Sequence, residues 1–149
     1  MTILGVINDT ERSKRAIRIG YDLATRYDDT LTVLYVIPRD DYEEHKKNLQ
    51  DITEFGDFTL DQEQGSAERF AREFAQGKIE DVDMDLIEPL GRVGDVAEEV
   101  LTEADRIDPR YLVISGRRRS RVGKALFGDT AQEILLNANC TVVTSLSDE

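Results

Sequence analysis

Residues 111–130 read YLVISGRRRSRVGKALFGDT. The apolar run Tyr111-Leu112-Val113-Ile114, bounded by Pro109 and Gly116, has the length and composition of a fully buried strand. Five positive charges follow, on Arg117, Arg118, Arg119, Arg121 and Lys124. From Gly128-Asp129-Thr130 onward Ala131, Ile134, Leu135 and Ala138 recur at helical spacing. Thr130 with Glu133, and Asp129 with Gln132, have capping-box separation, which makes Asp129 a candidate N-cap. A strand, a glycine-bounded loop and a helix start together present backbone N–H groups and a positive dipole end to an anion. Guanidinium groups in that loop make a phosphate the fitting guest. The plain alternative is a solvated basic surface that offsets repulsion elsewhere.

Outward from this stretch the same alternation repeats. On its C-terminal side, Thr141 to Leu146 is a last strand with no element after it. An apolar edge carrying Val142, Val143 and Leu146 invites pairing with a second copy, so a homodimer through this strand is expected. On its N-terminal side, Asp95 and Glu98 open a helix containing Val96, Ala97, Val100, Leu101 and Ala104. Before it, Val82, Met84 and Leu86 alternate with Asp83 and Asp85, which predicts a half-exposed edge strand ended by Pro89-Leu90-Gly91. Ser66 starts a helix with Ala67, Phe70, Ala71 and Phe74 on one face, stopped at Gly77. Residues 38–65 are acidic and irregular, the composition of a lid, a binding loop or a partly disordered segment. Leu31 to Ile37 is a nearly continuous apolar strand. Ala16, Ile17, Gly20, Leu23, Ala24 and Tyr27 mark an amphipathic helix, and Ile3 to Ile7 a first strand ending at Asn8-Asp9-Thr10.

Strands alternating with helices specify an α/β fold: one domain over residues 1–149, a doubly wound five-stranded parallel sheet of Rossmann-like type. Ligands of such sheets bind beyond the carboxyl ends of the strands, where the strand order reverses. That points to the turn Asn8–Thr10, Val36, Gly91 and the basic loop.

The chain has 149 residues and a formal net charge of -12, with five lysines among its 19 basic residues. A carboxylate excess with little lysine suits high salt, where screening removes self-repulsion, so a halophilic source is expected. The same excess argues against a nucleic-acid partner. No apolar run is long enough to span a membrane and no leader precedes Thr2, so no membrane association and a cytoplasmic location are expected. Cys140 is a single cysteine with apolar neighbours, read as a buried packing residue. His45 is the only histidine, which excludes histidine-based metal sites and triads. No metal site is read from the residues.

Over its whole length the chain resembles the universal stress proteins, small α/β domains of adenine-nucleotide-binding type. Their fourth strand runs into a motif of Gly, two residues, Gly, nine residues, then Gly-Ser or Gly-Thr. Here Gly128, preceded by Ala125-Leu126-Phe127, stands at the third glycine. The first glycine falls on Ser115, with Gly116 one position off register, the second on Arg118, and the hydroxyl residue on Asp129, followed by Thr130. Asn8 replaces the aspartate that usually faces the adenine and ribose, while Val36 and Gly91 match pocket positions that act through backbone. The resemblance implies a dimeric regulator that binds an adenine nucleotide, ATP with Mg²⁺, or another phosphate-bearing ligand, at the ends of strands one and four. Because the family includes members that bind no nucleotide, an interaction module with a vestigial pocket is the other function it implies. An enzyme is not expected: nucleotide hydrolysis has no evident water-activating base and no Walker lysine here.

Overall fold

The computed structural model describes residues 1–40, 60–117 and 128–147. Five strands, β1 (Thr2–Ile7), β2 (Thr30–Pro38), β3 (Ile87–Gly94), β4 (Tyr111–Arg117) and β5 (Val142–Ser147), form one parallel sheet in the order β3-β2-β1-β4-β5. Among the described residues the bounded helices are α1 (Glu11–Tyr27), α2 (Leu60–Lys78), α3 (Val96–Ile107) and α4 (Asp129–Asn137). Strand alternation splits the core in two. Ile3, Leu31, Val33 and Val113 face one side, where Ala16, Ile17 and Ala24 of α1 and Ala71 and Ala75 of α2 cover them. Leu4, Leu34, Leu112 and Ile114 face the other, under Ala97 and Val100 of α3 and Ala131 and Ile134 of α4. Fully buried leucines such as Leu4, Leu34 and Leu112 each contribute about 1.5–3 kcal/mol relative to exposure, which is why both faces of these strands are apolar. This is the doubly wound α/β sheet expected, with β3 and β5 at its two margins.

Three elements depart from their expected bounds. The segment Val82–Leu86 is no strand: Met84–Leu86 is a 3-10 turn, and the edge strand is Ile87–Gly94, running through Pro89 and Gly91. Val82 and Met84 are partly buried against the core, so their alternation reports packing of a turn. Helix α2 starts at Leu60 and passes through the exposed Gly65, where an added Cβ would meet no atom of the described residues within 4 Å. It also passes Gly77 to end at Lys78. Strand β4 continues to Arg117. A Cβ on Gly116 would meet Leu146 at 3.1 Å, so the glycine extends the strand by letting β5 pack close.

Charged pairs fasten the periphery. The buried Glu103 of α3 holds Arg92 of β3 at 2.9 Å and Arg106 at 2.7 Å. At the amino end of the sheet, the buried Asp29 accepts from Arg110 Nε at 2.7 Å, and the guanidinium lies 4.4 Å from the centroid of the Tyr27 ring. The Arg110 hydrogen bond holds the Asp29 carboxyl below its usual range, against burial, which raises it. A pKa lowered in the folded state contributes stability that is complete above the unfolded value of about 3.9 and is lost as pH falls through the folded one. Arg110→Gln is therefore expected to melt below the parent at neutral pH, with the gap narrowing once the pH drops under about 4. A gap that stays constant with pH in thermal melts would refute this role for Asp29.

Candidate functional site

The chain runs outward from β1 through β2 to β3, then returns to β4 and β5 on the opposite side, so the strand order reverses between β1 and β4. The helices that follow those two strands, α1 and α4, pack on opposite faces of the sheet, and a crevice opens between their starts. It has a volume of about 480 Å³, within the range of about 300–1,000 Å³ usual for small-ligand pockets. Its floor is Val6, Ile7, Val36 and Ile114 at the strand ends. Asn8, Asp9 and Arg12 form one wall, and Ser115, Gly116, Arg117, Gly128, Asp129 and Thr130 the other.

The first wall is a closed turn. Asn8 Oδ1 accepts from the Thr10 N–H at 3.0 Å, from the Thr10 hydroxyl and from Ser13 Oγ at 2.7 Å. Ser13 Oγ in turn accepts from the Asn8 N–H at 2.8 Å. Ser13 is fully buried, so this hydroxyl anchors the exit of β1 to the first turn of α1.

The second wall is the start of α4. Its N-cap is Gly128, in extended conformation with no side-chain cap, and Asp129 is the first helical residue. The expected capping role of Asp129 is thereby replaced. The carboxylate sits in the first turn, where it interacts favourably with the dipole, and the exposed side chain lines the crevice. Gln132 N–H is the first to bond within the helix, to Gly128 O at 3.0 Å, so the three preceding N–H groups have no intrahelical partner. The start of α4 with Thr130, and Arg117 at the end of β4, line one end of the crevice. The other end, with Tyr35, Val36, Pro38 and Val96, is largely apolar. Such a gradient suits a ligand with an anionic head and a flat apolar body.

Of the expected site residues, Asn8, Val36, Ser115, Gly116, Gly128, Asp129 and Thr130 come together here. Gly91 does not. It lies within β3, where a Cβ would stand 2.4 Å from both Gln64 O and Glu68 N, so its role is to seat α2 on the strand. Arg118, Arg119, Arg121 and Lys124 lie outside the described residues, as does most of the expected lid. Asp9, within the expected turn Asn8–Thr10, lines the crevice too, whereas sequence reading missed Arg12, Tyr35, Pro38 and Val96. Arg12 had left a signal: a cation in the first turn of a helix opposes the dipole, so something other than helix stability recommends it there. Among the described residues no group of three His, Cys, Asp or Glu side chains is placed to hold a metal ion, and no helix is long and apolar enough to cross a membrane.

Comparison with known proteins adds the following. Residues 1–144 match the family described as "Universal stress protein family". A curated universal stress protein of Mycolicibacterium smegmatis is 39% identical over 77 residues, which cover 46% of this chain and 55% of that protein. The match thus spans about half the length of that relative. Among solved structures, a universal stress protein in complex with cAMP superposes with a TM-score of 0.65 at 16% identity, over 97% of this chain and 95% of that one. The universal stress protein from Archaeoglobus fulgidus in complex with dAMP gives 0.55 at 17% identity, over 97% and 96%. At such identities the structural likeness is one of fold.

Proposed function

Since the chain belongs to the universal stress protein family, we propose that it is a one-domain, dimeric, cytoplasmic regulator that binds an adenine nucleotide in the β1–β4 crevice and performs no catalysis of its own. One observation carries this reading: the uncapped start of α4 opens onto the crevice at the strand-order reversal, with Thr130 and Arg117 beside it. The phosphate sits at that end, and the base lies against Val36 and Pro38. The cAMP and dAMP complexes of proteins with this fold support an adenosine phosphate as the guest. Asp9 and Asp129 supply oxygen ligands of the kind Mg²⁺ accepts, with phosphate oxygens completing the set. Mass spectrometry of small molecules released from freshly purified protein, followed by calorimetry with AMP and ATP, tests the reading. Retained nucleotide or saturable heat is expected. No nucleotide and no heat at millimolar ligand would leave an interaction module with a vestigial pocket.

Two copies associate through β5. Leu112 N–H donates to Thr141 O at 2.9 Å, and the alternation of a parallel ladder then turns the Val143 N–H to β4 and those of Val142 and Thr144 to the open margin. Thr144→Pro removes an outward N–H and leaves the β4 ladder in place. Light scattering is expected to give twice the 16.9 kDa chain mass for the parent and a single chain mass for the variant, with circular dichroism unchanged. A parent of single-chain mass at micromolar concentration in molar salt overturns the proposal.

A further inference from the structure

We propose that the groove between the start of α1 and the second half of α2 is a further binding site, for a small anion built on one aromatic ring. Its volume is about 220 Å³. That lies below the range of about 300–1,000 Å³ usual for drug-sized ligands and leaves room for little more than one substituted ring.

The lining supplies a row of rings. Phe70 and Phe74 stand one turn apart on α2 and border the groove. The Phe70 centroid lies 4.4 Å from that of Tyr35 and 5.9 Å from that of Phe74, with the planes tilted by 37° and 36°. These are spacings at which aromatic pairs attract. Both phenylalanines are only partly buried, so the row can accept one more ring from the groove.

The lining also supplies unused positive charge. Lys14 and Lys78 border the groove, two of the five lysines in a chain with 31 acidic residues. Both are half-buried, and neither ammonium has an ion pair or hydrogen bond with another described residue. Lys14 is the fourth residue of α1, where a cation works against the dipole, so helix stability does not account for it. Asp9 and Glu11 border the groove too, at the very start of α1. The lysines lie farther along: Arg18 Nε donates to Lys78 O at 2.8 Å, which ties the end of α2 to α1 one turn beyond Lys14. A ring laid against Phe70 and Phe74, with its anionic group toward Lys14 and Lys78, uses both features of the lining. Lysine stems also shield apolar surface from water, a role that methionine fills without the charge.

Phenylacetate is the probe, titrated into the protein and followed by amide chemical shifts. Saturable shifts at Lys14, Phe70 and Phe74 are expected. Benzylamine, the same ring with the opposite charge, is expected to bind at least about tenfold more weakly. Hexanoate, the same charge without a ring, is expected to bind at least about threefold more weakly. The variant carrying Lys14→Met and Lys78→Met should keep the parental melting temperature and lose at least about tenfold in phenylacetate affinity. Either substitution alone should show part of that loss, so the test survives a double variant that fails to fold. No saturable shift at these residues in the parent, or equal phenylacetate affinity in parent and lysine variants, overturns the site. Benzylamine binding as tightly as phenylacetate overturns its preference for an anion, and hexanoate binding as tightly overturns its preference for a ring.

Discussion

Asp129→Ser is expected to bind an adenine nucleotide about tenfold more tightly than the parent in EDTA, and to lose most of its dependence on Mg²⁺. Asp129 is the first residue of α4 and lines the anionic end of the crevice. A carboxylate 4 Å from a phosphate charge costs about 1 kcal/mol in bulk water and about 4 kcal/mol at an effective dielectric of 20. The side chain is exposed, so the lower part of that range applies. One arginine contact is worth on the order of 1.5–3 kcal/mol net, enough to outweigh that repulsion and leave a modest net attraction. Asp129 would help hold a Mg²⁺ ion brought with the nucleotide, whose charge would offset this repulsion, so the parent should bind better with the ion than without it. The serine variant forgoes the carboxylate's interaction with the helix dipole, about 0.3–1 kcal/mol, and should melt slightly earlier. Calorimetry on both proteins with and without Mg²⁺ checks each part. Equal, metal-independent affinities would show an Asp129 turned away from the ligand.

Gly91→Ala is expected to lower the unfolding free energy by at least about 1–3 kcal/mol, the usual cost of overpacking, and to leave nucleotide affinity per folded molecule unchanged. The added Cβ would stand 2.4 Å from Gln64 O and Glu68 N and 2.6 Å from Ala67 Cβ. Two of these are backbone atoms of α2, so no side chain can swing aside and the helix must lift off β3. Ala67 and Ala71 are fully buried, so lifting the helix exposes packed surface. Denaturant titration measures the loss. An alanine variant of parental stability with weakened nucleotide binding would return Gly91 to the ligand site.

The parts of this fold visible in the sequence are those where burial on both faces left no choice. Strands β1, β2 and β4 read as continuous apolar runs because helices cover both sides, and α1 and α3 as amphipathic because each shows one face to solvent. The misreadings fall at the margin of the sheet. Pro89 and Gly91 look like breakers, yet an edge strand tolerates a missing N–H, and Gly91 is there for contact with α2. At the crevice, Asn8, Ser115, Gly116, Gly128, Asp129 and Thr130 were legible because turn and helix-start signals are local, although the cap falls on Gly128 and not on Asp129. Tyr35, Pro38 and Val96 were not, since their place depends on how β2 and α3 come together in space. The turn around Asn8 lies between these cases. Its residues were read, but the saturation of one amide oxygen by three donors could be known only from their geometry.

The two margins of the sheet differ, and the difference governs stoichiometry. The strand β3 contains Glu88, Pro89 and Arg92, a row interrupted by charge and by a residue without an N–H. Along β5 no proline or charge interrupts Val142–Ser147. If copies join by strand addition, β5 can meet only another β5, a self-complementary contact related by a twofold axis that uses up the receptive margin of both chains. A head-to-tail contact of β5 on β3 would leave a receptive margin at every step and propagate without end. An edge as plain as the proline in β3 thus separates a particle that terminates at two from a filament.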